Sequence, residues 1–472
     1  HIFKRNRFQI ENSVEFILVN GHSFLLDFSP LSSSIVLSQF RNLRCDNLKT
    51  FMFSSPRKCF ENSGLIEKWK NREISNFEYL MGLNIYSGRT FNDSNLYPIF
   101  PWILTNYSEF ENNFPSSRST EFNKIDSLEN NQFPNSTTHL TQEAKKTMIV
   151  DTLSDDDDEK IDDEKKKEMK MPIMYSNRVM NRSTSYISNE NNYRSEKRNL
   201  SKPVAIQTEE KFHEFNLKFS IEHPISHLNC FFLVAPSNTA IIAHWLIRQP
   251  PFTQLHLKTE NGKFGYPTRL FQSMSRAAYQ ALNGTISWEL CPEFFSFPEI
   301  FTNLNKYKFG EKVKNDVFSL NDAIEFVYIH RKALESEEVS TYLNNWIDLI
   351  FGCKTKNIDS GNIYSPILCE DVWKTCSNKY SKTFIVDTLK IAGQLPQSMF
   401  SESHPKRKLL ISPYKMNNSQ ENVNNNDCFA TEKIIFPSNI ASMTEKRIKQ
   451  RQKLQSKIYI LTDKVYVNDL LT

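Results

Sequence analysis

Apolar positions along this chain first alternate, then recur at helical spacing, then lose period altogether. In residues 8–28, Phe8, Ile10, Val14, Phe16 and Leu18 alternate with polar neighbours, as do Phe24, Leu26 and Phe28, and Asn20-Gly21 lies between the two runs. Alternation marks a half-buried strand, and Asn-Gly is the favoured pair in a tight hairpin turn. Two strands around a turn are predicted. A short helix near 31–42 follows the Ser-rich stretch 29–34 and carries Leu31, Ile35, Leu37 and Phe40. A hairpin with one helix is not a stable domain by itself, so these residues belong to a larger unit or extend the next one.

The run Ile74 to Leu104 changes character halfway. Ser75 is a good N-cap, Glu78 stands three residues on as a capping box requires, and Ile74 can staple onto Tyr79. Phe77, Leu80 and Met81 share one helical face, and Gly88 can end the helix. After Arg89, the residues Phe91, Leu96, Tyr97, Ile99, Phe100, Trp102, Ile103 and Leu104 crowd around Pro98 and Pro101. Two close prolines disfavour both helix and central strand. An apolar, irregular backbone segment is therefore predicted to run through a core. Its backbone groups need polar partners, and Arg89, Asn92, Asp93 and Asn95 are the nearby supply.

Further helices are predicted for Lys68–Glu73 with Trp69, for Thr239–Arg248 ending before Pro250, for Pro267–Leu282 ended by Gly284, and for the consecutive pair Asn321–Leu334 and Ser336–Phe351. Pro292–Glu299 is a second irregular aromatic piece. From about 109 to 195, Asn, Ser, Thr, Glu and Lys dominate, and Ser154-Asp-Asp-Asp-Asp-Glu159 opens a charge block. So few apolar residues cannot offset ordering entropy, and the segment is expected to be a disordered insert. Residues 409–457 are linker-like, with six Lys or Arg between Thr444 and Lys457, and 458–472 has the apolar residues of one strand.

Composition narrows the picture. The 472 residues suffice for two to four domains at roughly 100–200 residues each. A formal net charge of +4 is too mild for a nucleic-acid binder. Thirty-six Phe supply a large core, while only 11 Gly leave little room for glycine-rich phosphate loops. Eight cysteines, none in a Cys-x-x-Cys pair, suit buried thiols in a reducing compartment. No apolar run reaches the roughly 18 residues of a membrane span. The chain opens at His1 in mid-pattern, as a piece of a longer protein would.

Candidate chemistry is sparse. There is no Gly-x-Ser-x-Gly, Walker loop, His-Glu-x-x-His or kinase set. His223, His227 and Cys230 have zinc-like spacing, but a fourth ligand is missing and Pro224 breaks the register, so no metal site is expected. Arg89 with Asp93, and Arg331 with Glu335, stand four apart among apolar neighbours. They suit structural ion pairs or a partner-facing groove. Trp102, Trp245 and Trp346 lie within apolar runs and are expected in the core.

The run Ile74–Leu104 closely resembles the opening signature of the BEACH domain, the module of the beige and neurobeachin proteins. The resemblance resumes at Arg198-Asn-Leu-Ser-Lys-Pro-Val-Ala-Ile-Gln207 and Leu246-Ile-Arg-Gln-Pro-Pro-Phe-Thr253, whose wording is similar to the lysosomal trafficking regulator branch. It continues through Pro292–Glu299, Ile329–Ser336, Trp346–Gly352, Gly393–Gln397 and His404-Pro405. Two family segments are changed: Leu233-Val-Ala-Pro-Ser237 replaces one and keeps only Ser237-Asn238, and Lys308–Val327 is shorter than its counterpart.

The resemblance implies an α+β chain: a mostly α-helical BEACH domain over 43–408 with irregular extended core segments, interrupted by the insert at about 109–195. The C-terminal part of a PH-like β domain with its closing helix would precede it at 1–42. A linker at 409–457 and the possible start of a WD-type β-propeller at 458–472 would follow. It further implies a non-enzymatic scaffold in vesicle trafficking and lysosome or endosome organisation, cytoplasmic and peripheral on vesicle membranes, without cofactor or nucleic acid. Protein partners of the trafficking machinery would bind the PH–BEACH surface, for which Asn76, Glu78, Arg89, Asn92, Asp93, Arg331 and Glu335 are the candidates. The alternative is a peripheral module recognising anionic lipids or phosphoinositides through the PH-like part and the basic stretch 444–457.

Overall fold

The computed structural model describes residues 1–8, 10–18, 23–28, 35–36, 38–39, 55–108, 111, 197–221, 230–310, 313–370 and 380–409. The Asn20-Gly21 turn, most of the helix expected near 31–42, the insert (Glu111 aside), the linker beyond Leu409, the basic stretch 444–457 and the final strand lie outside those residues.

The chain opens with three antiparallel strands, β1 (Ile2–Arg7), β2 (Ile10–Ile17) and β3 (Ser23–Asp27), in that order across the sheet. The expected hairpin is β2–β3, with Ser13 opposite Asp27 and Ile17 opposite Ser23. The first strand escapes the alternation pattern because Lys4, Arg5 and Arg7 occupy it. Sheet register divides its residues between two faces. Ile2, Val14 and Phe16 share one face and cluster with Phe28. The other face carries Phe3, Arg5, Ser13 and Glu15, and this polar face meets the rest of the molecule.

A helical body follows. Helices α1 (Pro56–Asn62), α2 (Leu65–Lys70) and α3 (Asn76–Tyr86) form its first layer. Ser75 caps α3 and the full capping box with Glu78 is present. The sequence suggests one buried face for α3, yet Phe77, Tyr79, Leu80, Leu83, Asn76 and Asn84 are all buried, so the helix is covered on most sides. Trp69 of α2 stacks on Tyr79 at 4.7 Å between centroids.

Later helices are α4 (Glu209–Ile221), α5 (Thr239–Trp245), α6 (Phe252–Thr259), α7 (Met274–Asn283), α8 (Leu320–Leu334) and α9 (Glu337–Ile350). A short ribbon, β4 (Lys356–Asn357) and β5 (Asn362–Ile363), leads to α10 (Lys382–Ala392). The pair α8–α9 matches the sequence reading to within a residue or two. The single helix expected over Pro267–Leu282 is a 3-10 turn at Pro267–Arg269 and then α7, because Leu270–Ser273 is extended. Asn238, from the pair kept in the altered 233–238 segment, caps α5 by accepting from Ile241 N at 3.0 Å.

Between these helices runs the aromatic segment 89–104, irregular as predicted, apart from a 3-10 turn at Ser94–Leu96. Its Tyr97, Ile99, Phe100, Trp102 and Ile103 are buried in the main core with Trp245, Phe294, Phe301, Phe326 and Trp346. Trp102, Trp245 and Trp346 are each at most 1% exposed. A smaller core joins Ile206, Phe215, Phe232 and Tyr364 to Ile385 and Leu389 of α10.

Candidate functional site: the junction of sheet and helical body

Buried irregular backbone must find partners outside a regular ladder. Here they come from three directions. Asn84 of α3 brackets Ile99, donating to its carbonyl at 2.9 Å and accepting from its amide at 2.9 Å. Phe100 exchanges two backbone bonds with Leu290. Glu289 accepts from Trp102 N at 3.2 Å and from the Trp346 indole at 3.2 Å, and its other contact is the Arg198 guanidinium at 2.8 Å. The Arg198 and Glu289 side chains are 0% and 1% exposed. Burying such a pair is costly unless further hydrogen bonds support it; Arg198 adds one to Lys202 O, while its buried Nε has no hydrogen-bond partner among the described residues. Sequence reasoning looked for these partners within 89–95 and missed Asn84, Arg198 and Glu289, which are near only in space.

The seven candidate residues fall into two groups at opposite ends of α3, about 16 Å apart for eleven residues at 1.5 Å each. At its N-terminus, Glu335 accepts from the amides of Asn76 and Phe77 at 2.8 and 3.0 Å. A carboxylate there satisfies orphan N–H groups and meets the positive end of the helix dipole. Arg331 pairs with Glu335 at 3.5 Å, as its spacing suggests, and covers the Phe77 ring at 3.6 Å. Burial pulls the Arg331 pKa down to about 10, and Glu335 and Glu78 oppose that shift. Asn76 is fully buried and binds Trp69, Leu334 O, Ser340 and Arg407. Glu78 is half-buried and returns to Ser75 N at 2.9 Å.

At the other end the sheet docks. Arg5 donates to Glu15 at 2.7 Å and to the Ile85 carbonyl at 2.6 Å. Glu15 also accepts from Thr90 at 2.5 Å and Asn92 at 3.1 Å, and Asn92 reaches Ser23 at 2.9 Å. Arg7 bridges Asp93, at 2.9 Å, and Asp27. Gln394, just past α10, donates to Asn6 O at 3.0 Å. The spacing-based pairing of Arg89 with Asp93 does not occur. Asp93 turns to Arg7 of the sheet, while Arg89 is buried and donates to Tyr97 O at 3.1 Å. Burial lowers the Arg89 pKa to about 10. Of the candidates, only Asn92 is exposed; Asn76, Arg89 and Asp93 are buried, and Glu78, Arg331 and Glu335 are half-buried. Arg5, Arg7 and Glu15 of the sheet belong to the same junction, and their only signal in sequence is charge at alternate strand positions.

Among the described residues no cluster of His, Cys, Asp and Glu suits a metal ion, and no helix is long and apolar enough to cross a membrane. His223 and His227 lie outside the described residues, and Cys230 is a buried free thiol.

The profile of the Beige/BEACH domain matches residues 67–183 and 178–407. The chain is 27% identical over 427 residues to the WD repeat- and FYVE domain-containing protein 4 of Mus musculus, covering 86% of this chain and 11% of that protein. It is 29% identical over 415 residues to the BEACH domain-containing protein lvsE of Dictyostelium discoideum, covering 84% and 15%. The human WD repeat- and FYVE domain-containing protein 4 is 30% identical over 367 residues, covering 74% and 9%. The chain thus spans between about a tenth and a seventh of the length of these relatives. With the profile matched over more than half of the chain and across the aromatic segment, helices α8 and α9 and the closing motif, the chain belongs to the Beige/BEACH domain family.

Proposed function

We propose that this chain is a non-enzymatic scaffold in vesicle trafficking that serves lysosome and endosome organisation by presenting a composite surface of sheet and helical body to protein partners. The observation that carries this reading is the junction. Glu15, Arg5, Arg7, Thr90, Asn92 and Asp93 interlock the two parts through directional charged bonds. Such bonds set one geometry more than they add stability, which a shared binding surface requires. In this reading the sheet and the helical residues after it are the C-terminal part of a PH-like domain, 43–408 is the BEACH domain, and 458–472 starts a β-propeller. Asn92, Glu78 and Arg331 contact partners at the two ends of α3. Asn76, Arg89, Asp93 and Glu335 hold those ends in place. The wording at 198–207 and 246–253 supports the lysosomal trafficking regulator branch, and a cytoplasmic site peripheral to endosomal or lysosomal membranes goes with it.

The test is genetic and biochemical. Loss of the gene should alter lysosome size and distribution, and rescue should fail with Glu15→Lys, which breaks the junction. If lysosomes are unchanged and the purified chain captures no protein of the trafficking machinery, the reading is wrong.

A further inference from the structure

Two stretches outside the junction, 256–270 and 303–316 (311 and 312 aside), pack into one lobe. Phe264 meets Phe309 edge-on at 4.8 Å, and Ile247, Leu270, Phe309 and Val313 form a separate small core. Arg248 ties the second stretch down, donating to Asn315 O at 2.9 Å and Lys314 O at 3.2 Å, and Gln272 accepts from Lys314 N at 3.1 Å. In sequence these two stretches hold seven Lys or Arg against three acidic residues, a net charge of +4, equal to that of the entire chain. Of the parts of the chain the structure describes, this lobe is therefore a place where positive charge outweighs negative.

That charge is free to act. Lys258, Lys263, Lys306 and Lys308 are exposed, and none forms an ion pair among the described residues. Tyr266 is 70% exposed with the Arg269 guanidinium 5.6 Å from its ring, and Leu304 is also exposed. We propose that this lobe is a docking surface for anionic lipid membranes. Charge complementarity selects the anion, and the mix of residues selects a bilayer. Four flexible lysines outnumber the one exposed guanidinium, that of Arg269, and give a diffuse field more than the rigid forks that grip individual carboxylates in a protein partner. An exposed Tyr and Leu beside them have the amphipathic character that suits the headgroup layer. Each lysine near an anionic leaflet contributes about 1 kcal/mol, a factor of about five. The lobe includes the start of the shortened 308–327 segment and is built from residues other than those of the sheet or the 444–457 stretch. The inference goes beyond the scaffold reading and does not depend on it.

Flotation of the full chain with phosphatidylcholine vesicles, with and without phosphatidylserine, tests it. Binding should require phosphatidylserine and weaken with salt. Lys263→Glu/Lys308→Glu should lower the partition coefficient by more than about tenfold, while the charge-matched Lys58→Glu/Lys68→Glu on α1 and α2 leaves it unchanged. Tyr266→Ser should weaken binding further, with circular dichroism showing each variant folded. The proposal is overturned by any of four results. These are no binding at low salt, equal losses in both lysine pairs, loss only when 444–457 is neutralised, or binding to polyglutamate without binding to vesicles. The last would assign the lobe to an acidic protein. None bears on the capture and lysosome tests of the scaffold reading.

Discussion

At the residue scale, this domain places ionisable groups inside its core and gives them directional partners. Glu289 joins Trp102, Trp346 and Arg198. Glu289→Gln leaves Arg198 buried without its counter-charge, and denaturant unfolding should show a loss of about 3–5 kcal/mol. Adding Arg198→Met removes the orphan charge and should recover much of that loss. Two histidines behave as neutral hydrogen-bonding rings. His330 lies 4.3 Å from the Phe295 ring and contacts Tyr107 Oη at 3.1 Å, and His404 contacts Tyr79 Oη at 2.5 Å. Burial lowers both pKa values to about 4. Above an unfolded pKa of about 6.5 neither state binds the proton. As pH falls below it, the unfolded chain binds protons that the folded chain refuses, so stability drops down to about pH 4. Each histidine contributes at most about 1.4 kcal/mol per pH unit. Unfolding midpoints measured across this range should show a shallower slope in His330→Gln.

At the element scale, α3 was legible because its signals are local: a Ser cap, a Glu three residues on and a Gly after the end. Ser75→Ala should cost about 1 kcal/mol in an unfolding titration. What was not legible is that α3 is covered nearly all round, since the sheet at one end and Glu335 and Arg407 at the other are distant in sequence. The helix α10 carries Ile385, Leu389 and Ala392 at helical spacing and ends at Gly393. That glycine has φ of +82°, and a Cβ there would lie 2.6 Å from Ser237 O. Gly393→Ala should therefore destabilise by at least about 1–3 kcal/mol, with the loss read from the same titration. The Lys308–Val327 stretch looked like a shortened family segment; only its packing on Phe264 and Leu270 shows that it collects charge on one lobe.

At the scale of the whole molecule, the sheet and the helical body meet through polar side chains. Phe3 against Tyr86, edge-on at 5.7 Å, and Phe8 against the smaller core are aromatic exceptions. A junction held by few directional bonds should open locally more readily than the core does. In Glu15→Gln, hydrogen exchange should accelerate in β1–β3 and at residues 90–93, while α8 and α9 keep their protection. The sequence by itself determined the family, the irregular aromatic segment and the helices α3, α8 and α9. All of these depend on spacing, caps and prolines within a few residues of one another. The tertiary structure decided which face of the sheet docks, which carboxylate serves which amide, and which distant lysines share one lobe. Asp93 shows why: its sequence neighbour Arg89 was the obvious mate, yet Arg7, brought over by the sheet, takes it. Partners of buried polar groups are fixed by whichever donor the fold carries into reach, and sequence separation holds no information about that distance.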